Sequence, residues 1–197
     1  MGKGDLTRQA ILDRAVSLAS AVGLEGLTIG RLAEEMELSK SGLFAHFQSK
    51  EALQVKTLEA AAARFVEHVV QPALAAPRGE PRLRALFERW LTWDAAQPGG
   101  CIFVAASIEL DDRPGAPRDV LVKLQKDWLE FLAGAVRSAV SEGDFRRSTD
   151  PEQFAFQVHG IMLVWHHLTH LLRDPRASQR ARQAFEALVA AARLLPA

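Results

Sequence analysis

Apolar residues recur every three or four positions along this chain, and no stretch alternates apolar with polar as a half-buried strand must. That spacing puts one apolar stripe on each of a series of helices, so the expected fold class is all-α. Ile11, Leu12, Ala15, Ala19 and Val22 form the first stripe, and Gly23 follows it as a C-cap. Thr28 can cap a second helix, with Ile29, Leu32, Ala33 and Met36 at i, i+3, i+4 and i+7. Ser39 can cap a third, short helix whose Leu43 and Phe47 stand four apart and face inward. Ser49 can cap a fourth, which runs to Pro72. PALAAPRGEP at 72–81 reads as a linker. Beyond it, helices are expected at about 82–96, from 101 to about Leu110, and over 118–142. Asp150, Pro151 and Gln153 then supply an N-cap, a first-turn proline and a capping amide for a helix ending near Arg173, and a last helix fills 176–195. The total is about nine helices, with the short ones grouped at the front.

Composition sets limits on function. Lys+Arg and Asp+Glu both number 24, so a surface for polyanions has to arise by segregating charge rather than by excess. The single cysteine, Cys101, excludes an internal disulfide and suits a reducing compartment as a buried, inert thiol. No run reaches the ~18 apolar residues of a membrane span, and MGKGDLTRQAILDRA lacks the apolar core of a signal peptide. The expectation is a cytoplasmic protein without a membrane partner. G-x-S-x-G, H-E-x-x-H, G-x-G-x-x-G and a phosphate loop are all missing, which argues against an enzyme.

Two short helices joined by a three- to four-residue turn, after a longer supporting helix, form a helix-turn-helix. The first of the pair has to be pinned to a core, which Ile29, Leu32, Ala33 and Met36 can do. In the second, Leu43 and Phe47 are buried while Lys40, Ser41, Ala45 and His46 remain outward, small enough for the backbone to approach a major groove. Lys40 and Lys50 can neutralise phosphates, and the free N–H groups at the Thr28 helix start can bind another.

The stretch GLEGLTIGRLAEEMELSKSGLFAHFQSKEAL closely resembles the DNA-binding domain of the TetR (tetracycline repressor) family, whose pattern reads G…T…LA…GVSKGTLYHYFKSKEEL. The resemblance implies a DNA-binding domain at 1–50 and a helical ligand-binding and dimerisation domain at 51–197. It also implies a homodimer through the last two helices (about 151–195), double-stranded operator DNA as partner, and release by a small-molecule effector. By position, Thr28 looks like the family's phosphate-binding helix start. Ser39, Lys40, Ser41 and Gly42 occupy its contact positions, Ala45 and His46 its reading turn, and Lys50 its phosphate clamp. Phe44 stands where the family usually has a tyrosine, and it can pack but not donate a hydrogen bond. The implied function is a ligand-responsive repressor of a palindromic operator. An activator of the same fold is the alternative, and a small helical enzyme or scaffold the more distant ones.

GGCIFVAASIELDDRPG is similar to one subgroup of effector domains in that family. Phe65, Trp90, Trp93, Phe103, Trp128, Phe131, Phe156 and Met162 lie on helices that such a fold wraps around a cavity. Ser107 and His159 are the candidate polar groups for a largely apolar effector. His159, His166 and His170 follow one another at i, i+7 and i+11, with the outer two ~16 Å apart along a helix, too far for one ion. No acid or cysteine lies among them in the stretch, so no metal and no cofactor are expected. His166, His167 and His170 are instead expected at the dimer interface or its rim.

Overall fold

The computed structural model describes residues 3–193, with side chains from Arg8 onward; residues 194 and 195 of the expected last helix lie outside it. Its elements are α1 (Lys3–Val22), α2 (Ile29–Glu35), α3 (Lys40–Phe47), α4 (Lys50–Phe65), a π turn (Val66–Val70), α5 (Gln71–Leu74), α6 (Glu80–Ala96), α7 (Ile102–Leu110), α8 (Ala116–Ser141), α9 (Pro151–His166), a second π turn (His167–Leu171) and α10 (Ala177–Ala192). Counting α4 to α5 and α9 with its π turn as single runs gives nine helices among the described residues, as the apolar spacing predicts. None of them is long and apolar enough to cross a membrane.

Two compact units are interleaved in sequence. One gathers the described residues up to Phe65 with Ala95–Leu124, and the other Val66–Asp94 with the described residues from Gln125 onward. The proline-rich stretch 72–81 therefore lies inside the second unit. Its backbone is tied down locally: Arg82 donates to the carbonyls of Leu74 and Ala76, and Asp144 accepts the Glu80 N–H at 2.7 Å.

The core of the first unit joins Ile11, Ala15 and Ala19 of α1 to Leu32, Leu43, Phe47, Leu53 and Leu58, with Ile102, Ala106 and Leu110 of α7. Polar groups fix where α1 stops. Gly23 takes a left-handed φ of 80°, and a Cβ there would stand 2.2 Å from Glu109 Oε1. That carboxylate accepts the N–H groups of Leu24 and Glu25 at 3.2 and 2.7 Å, so glycine, turn and acid form one device. The buried Ser20 hydroxyl donates to Gly100 O and accepts from Gly99 N–H, tying the PGG turn to α1.

In the second unit Phe87 and Phe185 stack with centroids 4.1 Å apart, joining α6 to α10. Asp150 caps α9 as its residue type predicts, accepting the N–H groups of Glu152 and Gln153, both at 3.0 Å. Glu80, buried at the start of α6, accepts from Arg84 Nε at 2.6 Å and Arg193 Nε at 2.7 Å. Those hydrogen bonds, the one from Arg193 foremost, hold its carboxyl below the usual 4.5 against the opposing effect of burial. A carboxylate depressed in the folded state contributes stability above its unfolded pKa and loses it as pH falls through the folded value. Glu80→Gln is therefore expected to be less stable than the parent at pH 7, with the gap narrower at a pH well below the usual carboxylate range. Urea unfolding at both pH values measures it, and a gap independent of pH would rule out the charge as its source.

Candidate functional site

The surface displayed by α3 is built from caps and one buried pair. Thr28, extended at φ −127°, accepts the Arg31 N–H at 3.1 Å and starts α2. Four residues separate α2 from α3, and Glu37 turns the chain with a φ of 55°. Ser39 then accepts the Gly42 N–H at 3.1 Å, and Ser41 donates to the Ser39 hydroxyl at 3.3 Å. Leu43 and Phe47 are 1% and 2% exposed, sunk in the core of the first unit. Lys40, Ser41, Gly42, Phe44, Ala45 and His46 all face solvent. No carboxylate occurs between residues 38 and 50, so this face presents cations, hydroxyls, an amide and apolar groups, the Phe44 ring among them.

The two lysines differ. A Cβ added at Gly30 would stand 3.4 Å from Lys40 Cε and 3.6 Å from its Nζ, which places the ammonium beside the start of α2. Lys50 opens α4 next to its cap, where Ser49 accepts the Ala52 N–H at 3.0 Å. Its Nζ lies 3.1 Å from Glu25 Oε2. Glu25 also pairs with Arg113 at 3.2 Å and accepts from the Gln54 amide at 3.2 Å. The Lys50 hydrogen bond is the main cause holding the Glu25 carboxyl below its usual range. Lys50 can exchange partners without stranding an acid, because Gln54 and Arg113 remain on it.

The expected effector-lining residues are distributed over both units. In the first unit Phe65 and Phe103 meet edge-on at 6.0 Å, and the Ser107 hydroxyl donates to Val104 O within its own helix. In the second unit Trp90 packs edge-on against Trp165, Trp93 lies against the His68 ring, and Trp128 stacks on Phe131. Met162 is buried, and His159 is partly buried, its pKa lowered by desolvation, which favours the neutral ring. Phe156 does not face inward: it is 69% exposed. The buried stripe of α9 is Phe154, Ala155, Val158, Met162 and Trp165, and a residue two places after Phe154 is turned ~200° around the helix.

The histidines also depart from expectation. His166 Nδ1 lies 2.6 Å from Asp94 Oδ2, and His170 Nε2 lies 2.5 Å from Asp94 Oδ1. Both face a wholly buried carboxylate and are themselves partly exposed, while His167 is exposed. Proximity in sequence could not reveal a partner 72 residues upstream. A signal did exist: Asp94 falls on the inward stripe of α6, four places after Trp90, where an acid is out of keeping with Leu83, Phe87 and Trp90.

Comparison with known proteins agrees with this geometry. Residues 11–55 match the family described as bacterial regulatory proteins, tetR family, and residues 79–185 match the tetracyclin repressor-like C-terminal domain. The tetracycline repressor protein class C of Escherichia coli is 44% identical over 48 residues, 24% of this chain and 22% of that protein. Among solved structures, a TetR-family transcriptional regulator from Cytophaga hutchinsonii superposes with a TM-score of 0.88 at 20% identity, covering 100% of this chain and 99% of its own. A TetR regulator from Chloroflexus aurantiacus gives 0.85 at 24% identity, covering 99% and 100%. AibR, in complex with isovaleryl coenzyme A and operator DNA, gives 0.69 at 24% identity, covering 93% and 96%.

The packing of α3 sets up a direct contrast. Phe47→Ala should cost roughly 3–5 kcal/mol of stability, as truncation of a buried ring does. Phe44→Ala, at a ring 55% exposed, should stay within about 0.5 kcal/mol. Thermal and urea unfolding of the two variants measures the difference, and equal losses would contradict the assigned faces.

Proposed function

This chain belongs to the TetR family of transcriptional regulators, and from that premise we propose that it is a homodimeric repressor of a palindromic operator, released by a small, largely apolar effector. The observation that carries the reading is the face of α3. An eight-residue helix, acid-free and anchored only by Leu43 and Phe47, offers Lys40, Ser41, Gly42, Ala45 and His46 to a major groove. Thr28, Ser39, Lys40 and Lys50 serve as the phosphate contacts, and Phe44 packs against the backbone without donating. Residues 1–50 then serve DNA and 51–197 serve effector and partner. Two subunits read half-sites about 34–36 Å apart.

A dimer through α9 and α10 is supported by their outer surface. Phe156, Val164, Leu171 and Leu172 are exposed on one run, and Phe156, Gly160, Ile161, Val164, Ala184 and Leu188 line an apolar groove between the two helices. An apolar face of that kind is a cost in water that a symmetry mate removes. The effector is assigned to the second unit, against Trp90, Trp93, Trp128, Phe131, His159 and Met162. AibR's complex with an acyl-coenzyme A and operator DNA supports an effector-responsive reading. An effector acts through its differential affinity for two conformers, so it has to favour the one whose reading helices no longer match the operator spacing.

Footprinting on the DNA upstream of the chain's own gene and its neighbours tests the proposal; absence of any protected site would sink it. Lys40→Ala and Lys50→Ala are expected to weaken binding on all sequences and to reduce the salt slope by about one for each phosphate no longer neutralised. An unchanged slope would show that the lysine in question does not touch phosphate. Val164→Glu should turn a dimer into a folded monomer in sedimentation, with operator affinity falling alongside; a dimer that survives it would place the interface elsewhere.

A further inference from the structure

We propose that Asp94, His166 and His170 form a binding site for a divalent first-row transition ion, with zinc the first candidate. The site lies wholly within the second unit and is independent of the DNA-binding reading. One donor atom from each residue can be chosen so that all three lie within 4.8 Å of one another. The donors are two imidazole nitrogens and one carboxylate oxygen. That set suits zinc, cobalt, nickel, copper and iron(II), whereas magnesium and calcium ask for oxygen alone. Three protein donors leave a coordination position open, and that position has an outlet, because the two imidazoles are partly exposed while Asp94 is fully buried.

The hydrogen-bond geometry fits an ion-free form of such a site. Two rings converge on the two oxygens of one carboxylate at 2.6 and 2.5 Å, so three potential ligand groups already share one small volume. The carboxylate at the centre of these contacts is wholly buried, and a charge in a protein interior calls for close polar or cationic partners. An ion entering between the rings and the carboxylate takes over these contacts and brings positive charge to the buried acid. Tetrahedral donors ~2.0–2.1 Å from zinc stand about 3.4 Å apart. Each nitrogen therefore draws back from its nearest oxygen by less than ~1 Å, while the widest donor spacing, within 4.8 Å, closes by up to ~1.4 Å.

Local structure brings the two histidines together. Their ring centroids are 4.7 Å apart, and the π turn begins at the residue after His166, with Leu172 N–H bonded to His167 O in an i+5 ring of 3.2 Å. Single π turns inside α-helices recur at functional sites. The Trp165 ring meets His170 edge-on at 6.4 Å, and its indole N–H donates to Ser178, which fixes the apolar wall beside the donors. This shell orients ligands in the way that outer groups do around metal-bound imidazoles. The remaining histidines, His46, His68, His159 and His167, are outside the cluster and serve as internal controls.

The test uses the full chain, stripped with a chelator and then titrated with cobalt(II) and zinc(II) in the absence of DNA. One ion per chain is expected, with cobalt showing the visible bands of a four- or five-coordinate site and zinc displacing it. His166→Ala and His170→Ala should each weaken binding by more than ~100-fold, beyond the 10–100-fold that loss of an outer partner produces. His167→Ala and Cys101→Ala should leave it unchanged. Circular dichroism melts establish whether each variant folds. Should the histidine variants not fold, copper(II) electron paramagnetic resonance on the parent chain decides, two coupled imidazole nitrogens being the expected pattern. Substoichiometric binding, cobalt bands that persist in both histidine variants, or fewer than two coupled nitrogens would each overturn the site and leave a hydrogen-bonded clasp alone.

Discussion

Isolated helices shorter than ~12–15 residues are marginal in water, because one turn must be ordered before any hydrogen bond compensates. The eight residues of α3 therefore exist as a helix only because Leu43 and Phe47 are held in the core of the first unit. Everything on the exposed side of α3 inherits its position from those two side chains. The caps set the ends, Ser39 at the start and a left-handed Gln48 at the close, but without the buried pair there would be no rigid element to cap. Such an arrangement separates two roles along one short stretch. Every third or fourth residue is committed to packing, and those between are free to be small, cationic or hydroxylated without a penalty to the fold.

Polar contacts of long sequence range complete the frame. Glu109 on α7 accepts the two N–H groups just after Gly23, and Gln54 on α4 donates to Leu24 O at 2.9 Å, so the stop of α1 is written jointly by two distant segments. Glu25, the next residue, is then presented to Lys50, Gln54 and Arg113 together. A local turn thus becomes the place where the ends of α1, α4 and α7 are kept in register. The same logic recurs in the second unit, where Glu80 joins the start of α6 to Arg193 beyond α10.

Local signals were legible in the amino-acid sequence, and distant ones were not. Thr28, Ser39, Ser49 and Asp150 cap the helices their residue types indicate, because a cap bonds to a backbone group two or three residues away. The burial of Leu43 and Phe47 and the exposure of Lys40 and His46 follow from periodicity alone. Phe156 shows angular position overruling residue type: its aromatic character suggests the interior, yet it belongs to the opposite face of α9 from Met162. The pairings Lys50 with Glu25 and His166 with Asp94 span 25 and 72 residues, and only the packing of helices decides them. Asp94 could have been suspected as an acid on an apolar stripe, but nothing local names which partner would neutralise it.

The π turn at His167–Leu171 makes that corner of the second unit sensitive to length more than to composition. Its hydrogen-bonded ring holds one more residue than an α turn. Deleting any one of His167, Leu168 or Thr169 would let the ordinary ladder re-form and rotate the downstream residues by ~100°. His170 would then leave the carboxylate, although no contacting side chain had been changed. Related chains that keep all three residues but differ in the count between His166 and His170 would share the ingredients and lack the arrangement. Residue count over this turn is accordingly the sharper criterion by which to judge whether a relative carries the same cluster.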